Sequence, residues 1–367
     1  MATTRYISPT GNDTTGDGTQ GNPYLTMTKA DSVSSNGDTV IALSGTYTLP
    51  AGGWKMLTAG VTFKSNTKYG AKIVPPGSPT VNTPFWFSAA NTVIDGFEID
   101  GTGVLSGTTG CFGAYVTGNS SSIKNCHIHH INTDAHGSSS GIGTDGFYSG
   151  QSIKIDSCWI HDIGPGSDNT IHGAYVQNTG GTCTNCLIYK CSGWGIITFH
   201  DGSQCNISNN IVFNNDSGGI SISGGSNYHL VGDCTNCSVF NNVIYDCTTA
   251  SNGKGLDEFG TVSGNFYDHN IIVGNSTNQV IINGTVTNTI SREPTFVNYI
   301  RTGGGDYHSL LGSPQVNSGV STFNSVAAPS FDIDGVARPK GASGLFDVGA
   351  YELNYSAAII PVGGGSM

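Results

Sequence analysis

Six stretches decide how this chain folds: NCHIHHI (125–131), SCWIHDI (157–163), NCLIYKC (185–191), NNIVFNN (209–215), NNVIYDC (241–247) and HNIIVGN (269–275). They are variants of one unit, and GFEIDGT (96–102) fits the same frame. Anchored on the central aliphatic residue (Ile99, Ile128, Ile160, Ile188, Val212, Ile244, Ile272), the units recur after 29, 32, 28, 24, 32 and 28 residues. A second unit lies between them: GAYV (113–116), GIGT (141–144), GAYV (173–176), GIIT (195–198), GISI (219–222), GLDE (255–258) and QVII (279–282). Two short strands per 24 to 32 residues, separated by Asn, Gly and Ser turns, predict one rung of a parallel β-helix, an all-β solenoid. A single rung is too short to bury its inward side chains, but rungs stacked at ~4.8 Å make a continuous core. Asn before the anchor, at 125, 185, 209 and 241, suits a tight corner because its side chain tolerates left-handed backbone.

Working outward from the repeat, the composition follows. The chain has 367 residues, 54 of them Gly, and only 11% are charged. Disorder is excluded by the regular alternation of Val, Ile, Phe and Tyr with small polar residues, and collagen by the absence of a three-residue Gly period. With 14 Lys+Arg against 25 Asp+Glu and a net charge of -11, nucleic acid and anionic membrane surfaces are poor partners. Neither a basic and apolar leader nor a run of about 18 apolar residues is visible. The expectation is therefore an extracellular or virion protein, with its signal removed or its release achieved by lysis.

Three regions resemble the right-handed parallel β-helix proteins of the pectin-lyase-like superfamily. These are the opening RYISPTGNDTTGDGTQGNPYLTMTKADSVSSNGDTVIALSGTY (5–47), the rungs quoted above, and the closing PTFVNYIRTGGGDYHSLLGSPQVNSG (294–319) with FDIDGVARPKGASGLFDVGAYE (331–352). The resemblance implies a short N-terminal helix, roughly 26–35, that caps the solenoid. It divides the chain into an N-terminal cap (1–38), β-helix rungs (39–291), a closing segment (292–352) and a flexible or docking tail (353–367). The scaffold serves lyases, hydrolases, epimerases, tailspikes and adhesins, so it leaves enzyme status open. What it implies first is a tailspike-like virion or cell-surface protein that binds, and in one reading also cleaves, an extracellular polysaccharide. A secreted polysaccharide-degrading enzyme, or a non-catalytic structural or decoration component of a phage particle, are the alternatives.

Residues flanking each anchor point outward by the two-residue period of a strand. One column reads Glu98, His127, Trp159, Leu187, Ile211, Val243, Ile271, and the other Asp100, His129, His161, Tyr189, Phe213, Tyr245, Val273. His127, His129, Trp159, His161 and Tyr189 are the candidate glycan-binding surface, aromatics lying on sugar faces and polar groups bonding hydroxyls. Hydrolysis needs two carboxylates, and Glu98, Asp100 and Asp257 are the candidates, with Asp145 and Glu258 as further acids of the second unit. The apolar run Leu187, Ile211, Phe213, Val243, Tyr245 and Ile271 is hard to leave in water, so it is covered by a loop or by a neighbouring subunit, and it is read here as subunit packing in a homotrimer or against other virion proteins.

A uronate lyase ranks below a hydrolase: all four Arg (5, 292, 301, 338) lie in the end segments and the chain is acidic. No metal is assigned. The resemblance leaves room for Ca2+. The HIHH cluster (127–130), with His136, His161 and His172, offers stacked imidazoles to a transition metal, the outward His129 and His161 lying on adjacent rungs, and a polar surface ladder is the alternative. The ten Cys, including the CTNC strings at 183–186 and 234–237, read as buried fillers of stacked columns, with zinc and inter-rung disulfides as the alternatives. Asp334, Arg338, Asp347 and Glu352 read as an ion-pair network sealing the last rung.

Overall fold

The computed structural model describes residues 2–50, 52–75, 85–102, 112–131, 139–144, 150–164, 168–225, 233–248, 253–340 and 344–353. Asp145, Cys111, His136 and the tail beyond residue 353 lie outside the described residues.

Three parallel sheets run the length of the molecule. The first has 11 strands, from Thr4–Ile7 to Thr285–Thr287; the second has nine, from Gly45–Thr48 to Ile271–Val273; the third has nine, from Trp54–Met56 to Thr277–Val280. Each rung therefore has three strands where the repeat predicted two. The extra strands are short, such as Lys154–Asp156 and Thr182–Thr184. They end at the corner that opens the next repeat unit, so the sequence pattern begins where they finish. That corner is a residue in left-handed conformation: Gly96, Asn125, Ser157, Asn185, Asn209, Asn241 and His269 have φ between 48° and 82°. The four asparagines read as corners are among them.

The anchors pair in register, Ile99, Ile128, Ile160, Ile188, Val212, Ile244 and Ile272, and all are buried in one continuous core. The glycine that opens the second unit faces the same core. A Cβ at Gly113, Gly141, Gly173, Gly195, Gly219 or Gly255 would stand 2.3 to 2.8 Å from the anchor side chain of the following unit (Ile128, Ile160, Ile188, Val212, Ile244 and Ile272 in turn), a distance no real Cβ contact shows. Gly is thus required there by close approach. Because that Gly and the following residue both face inward, the residue before it is turned outward.

Cys126, Cys158 and Cys186 occupy successive rungs just inside the corner, and Asn210, Asn242 and Asn270 continue that column. The asparagines form a buried ladder in which Nδ2 of Asn210 donates to Oδ1 of Asn242 (2.9 Å), and Nδ2 of Asn242 to Oδ1 of Asn270 (2.9 Å). All nine described cysteines are buried free thiols, and burial pushes Cys126, Cys158 and Cys186 well above the usual thiol range.

At the N-terminal end, Thr4–Ile7 pairs with Thr39–Ala42, so the opening segment already contributes a strand. A six-residue helix, Met27–Ser32, starts at Thr26, whose hydroxyl accepts from the Lys29 N–H (3.1 Å), and it buries Met27 and Ala30 in the main core.

The closing segment overturns one expectation. Phe296, Tyr307, Ile333, Val348 and Ala350 form a second apolar core with Leu187, Ile211, Phe213, Val243 and Ile271, and Tyr245 packs against it half-buried. The stripe read as a subunit interface is covered by the chain itself. Two glycines let the backbone lie close upon it. Gly303 (φ 100°) would place a Cβ 2.7 Å from the Tyr189 ring, and Gly349 (φ 104°) one 3.1 Å from Ile211 and Val243. The segment is also tied down by polar contacts. Arg338 pairs with Glu352 (3.0 Å) and donates to Asn185 Oδ1 (3.2 Å), while Asn209 donates to the Asp347 carbonyl (3.2 Å). Of the expected ion-pair network one pair is present among the described residues, Arg338–Glu352, and it lies on the flank of rungs 185 and 209. Asp332, which accepts from the Glu352 N–H, takes the place given to Asp334, which bonds His308 instead.

Candidate functional site

Among the described residues, clustered polar and aromatic side chains gather on two outer surfaces, on different sheets. On the second sheet the outward columns are in register as read: Glu98, His127, Trp159 in one, Asp100, His129, His161, Tyr189 in the other. A third outward column was invisible to period-two reading. His130, Asp162 and Lys190 have φ of 55°, 53° and 54°, and this left-handed step turns out side chains that strict alternation would send inward. Lys72 joins from the rung before.

These groups form one connected network. Lys72 Nζ sits 2.9 Å from Glu98 Oε1 and 2.6 Å from Asp100 Oδ2. His129 bonds Glu98 through Nε2 (3.2 Å), and its Nδ1 lies 3.6 Å from Asp100 Oδ1 and 2.6 Å from His130 Nδ1. His127 Nε2 meets His161 Nε2 at 2.7 Å, and His161 Nδ1 meets Asp162 Oδ2 at 2.6 Å, with Lys190 pairing to the same carboxylate. The rings of His129, His161, Tyr189 and Phe213 stack in sequence at 5.4, 4.9 and 4.8 Å. Burial lowers His127 to about 3, helped by the neighbouring imidazoles, and lowers His129 as well. Burial works against the Asp100 charge, yet Lys72, the Thr102 hydroxyl and N–H, and His129 together hold its carboxyl well below the usual range.

This corrects the expected glycan surface. Tyr189 is only 2% exposed, sandwiched between rings and overlaid by Gly303, so it offers no face to a sugar. His129 and His161 are nearly buried too, leaving His127, Trp159 and His130 at the surface. The Lys72 ion pair and the Thr102 hydrogen bonds favour the ionised form of Asp100, the form of a base or nucleophile in a hydrolytic pair with Glu98.

The third sheet carries the other surface, a cleft of about 510 Å³. Tyr175, Trp194, Phe199 and Phe259 line it, with Asp257 and Lys254 in its wall, and Phe259 is 63% exposed. His172 and Trp194 were missed as lining residues; like Lys254, they precede the inward glycine and are turned outward by it. Lys254 Nζ contacts Asp257 Oδ1 at 2.7 Å. Burial raises Asp257, with the Glu258 charge adding to it and Lys254 opposing. Glu258 points into the core, where Tyr267 Oη (2.7 Å) and the backbone N–H groups of Ile282, Asn283 and Gly284 (2.9, 2.8 and 3.0 Å) donate to it. Its role is structural.

The model described as right handed beta helix region matches residues 112–296, half of the chain. The chain belongs to the right-handed β-helix family. Among solved structures this β-helix is similar to pectate lyase Pel9A, at 16% identity and a TM-score of 0.61, covering 96% of this chain and 97% of that one. It is also similar to a rhamnogalacturonan lyase, at 17% identity and 0.55, covering 81% and 91%. A third likeness is to XylC in complex with xylose, at 13% and 0.50, covering 76% and 70%. At these identities the likeness establishes the pectin-lyase-like fold. No curated protein matches the sequence. No helix among the described residues of the β-helix is long and apolar enough to cross a membrane.

Ca2+, for which the resemblance left room, takes six to eight oxygen ligands. Among the described residues, the group of three or more metal-ligating side chains that comes together is Asp100, His129 and His130, with two nitrogen donors. That set does not fit Ca2+.

Proposed function

We propose that this β-helix is an extracellular polysaccharide-binding protein whose glycan lies in the third-sheet cleft, with Asp257 as the acid that acts on it. One observation carries the reading: a cleft of about 510 Å³ in which Tyr175, Trp194, Phe199 and Phe259 surround the Asp257–Lys254 pair. Aromatic faces suit the apolar faces of sugar rings, and a few convergent polar groups fix their orientation. The strands run across the solenoid axis, so successive rungs offer successive contacts to a polymer lying along it. Asp257, with its proton affinity raised by burial, is suited to hand a proton to a glycosidic oxygen. The polysaccharide-related neighbours agree with this reading. The trimeric tailspike variant loses its main support, because the stripe that argued for a trimer is covered by the closing segment.

The test is a panel of neutral and acidic polysaccharides, read by calorimetry for binding and by reducing-end release and unsaturated-product absorbance for cleavage. Trp194→Ala and Phe259→Ala are each expected to weaken binding by about tenfold, the equivalent of ~1.4 kcal/mol. Asp257→Asn is expected to abolish turnover while leaving binding in place. Full turnover in Asp257→Asn removes the assigned acid, and undiminished binding in both aromatic variants removes the cleft.

A further inference from the structure

The histidine network on the second sheet is not used by the cleft, and its arrangement asks for a different ligand. We propose that Asp100, His129 and His130 form a site for one divalent transition-metal ion of the zinc class, with Glu98 orienting His129.

Three observations converge on it. First, the ligand atoms of these three side chains lie within 4.8 Å of one another, and the set is two imidazoles and one carboxylate. That combination on one side of an ion, with positions left open, is an established geometry for divalent iron and its neighbours, and imidazole nitrogens select transition metals over Mg2+ and Ca2+. Second, His129 Nδ1 and His130 Nδ1 approach to 2.6 Å, and His129 Nδ1 lies 3.6 Å from Asp100 Oδ1. Two ligands on one ion with bonds of about 2.0–2.1 Å stand roughly 3–3.4 Å apart, so the rings need part by less than an ångström to admit it. Third, the opposite nitrogen of His129 is already engaged: Nε2 bonds Glu98 Oε1 at 3.2 Å. A metal-bound imidazole characteristically donates its other N–H to a carboxylate, which fixes its tautomer.

The backbone shows how two consecutive histidines come to face one point. His129 is outward by alternation, and His130 (φ 55°) is turned outward by its left-handed step. Asp100 is held in place by the Thr102 N–H (2.8 Å) and hydroxyl (2.5 Å) on Oδ1 and by Lys72 (2.6 Å) on Oδ2. His161 stacks parallel on His129 at 5.4 Å and buttresses that ring. Because His130 is exposed, an open coordination position faces solvent.

Co2+ and Zn2+ added to the tag-free full chain test this without reference to any glycan. The expected result is one Co2+ per chain with visible d–d absorption, displaced by stoichiometric Zn2+ and untouched by excess Ca2+. His130→Ala, an exposed position whose loss leaves the fold intact by circular dichroism, is expected to weaken Co2+ binding at least tenfold. Glu98→Gln is expected to weaken it by 10–100-fold, the usual cost of losing such a partner. His308→Ala, on the closing segment, is the control and leaves binding unchanged. Absence of saturable Co2+ binding, displacement by Ca2+, or affinity unchanged in His130→Ala each overturns the assignment.

Discussion

The outer face of the second sheet is built twice over, once polar and once apolar, on the same backbone. From rung 98 to rung 161 its columns carry Glu, Asp, His and Trp; from rung 187 onward they carry Leu, Ile, Val, Tyr and Phe in continuous register. The apolar half is roofed by Phe296, Tyr307, Ile333, Val348 and Ala350, and the roof stops beside Trp159. Identical strand geometry thus yields a structural core on one side of that line and a reactive network on the other. What differs is which side chains the closing segment can afford to cover: apolar ones gain by leaving water, whereas the charged cluster would have to be desolvated.

Detaching the roof is the most forceful way to break this contrast. Arg338→Met leaves Glu352, Asp347 and Asp332 buried beside an apolar side chain, and is expected to cost about 3–5 kcal/mol in urea denaturation, since a buried charge left without its partner is strongly unfavourable. A smaller effect comes from His308, which joins the roof's Asp306 (2.6 Å) and Asp334 (2.9 Å). The Asp334 hydrogen bond, with Asp306 adding and burial opposing, raises His308 from 6.5 to about 9. The folded-state value is raised, so the contribution is complete below about pH 6.5 and lost as pH climbs through about 9. The pair is half-exposed and screened, so the loss is at most about 1 kcal/mol. Melting curves at pH 6 and pH 9.5 should show it, and His308→Ala should remove the difference. Smallest of all, His161→Phe extends the Tyr189 and Phe213 stack into the polar half. If that half exists for ligand chemistry and not for stability, the melting free energy stays within about 1 kcal/mol of the parent. A loss as large as that of a core truncation would make the network structural.

Much of this was legible in the sequence. The spacing of the Ile99 to Ile272 anchors, the corner asparagines and the outward columns beside those anchors survive, because strand alternation and left-handed corners are local properties. What escaped has equally specific causes. The outward placing of His130, Asp162 and Lys190 comes from a left-handed step that alternation does not anticipate, and that of Trp194 and Lys254 from the two consecutive inward residues that follow them. Lys72 lies in AKIV, one rung before the first unit of the repeat, where Ile73 pairs with the Ile99 anchor. The roof was misjudged because an outward apolar column looks the same whether its cover comes from a neighbouring chain or from residues a hundred positions downstream in the same one.

The closing segment also changes how the molecule comes apart. In a bare solenoid each rung is coupled only to its neighbours, so the ends fray and unfolding proceeds like an unzipping. Here one segment holds Asn185, Asn209, Asn214 and Asn241 at once, through Arg338, the Asp347 carbonyl, the Arg301 carbonyl and the Val320 carbonyl. The last rungs cannot peel away singly without releasing contacts to rungs well inside the stack. The C-terminal half is thereby converted from a row of weakly linked units into a single cooperative block.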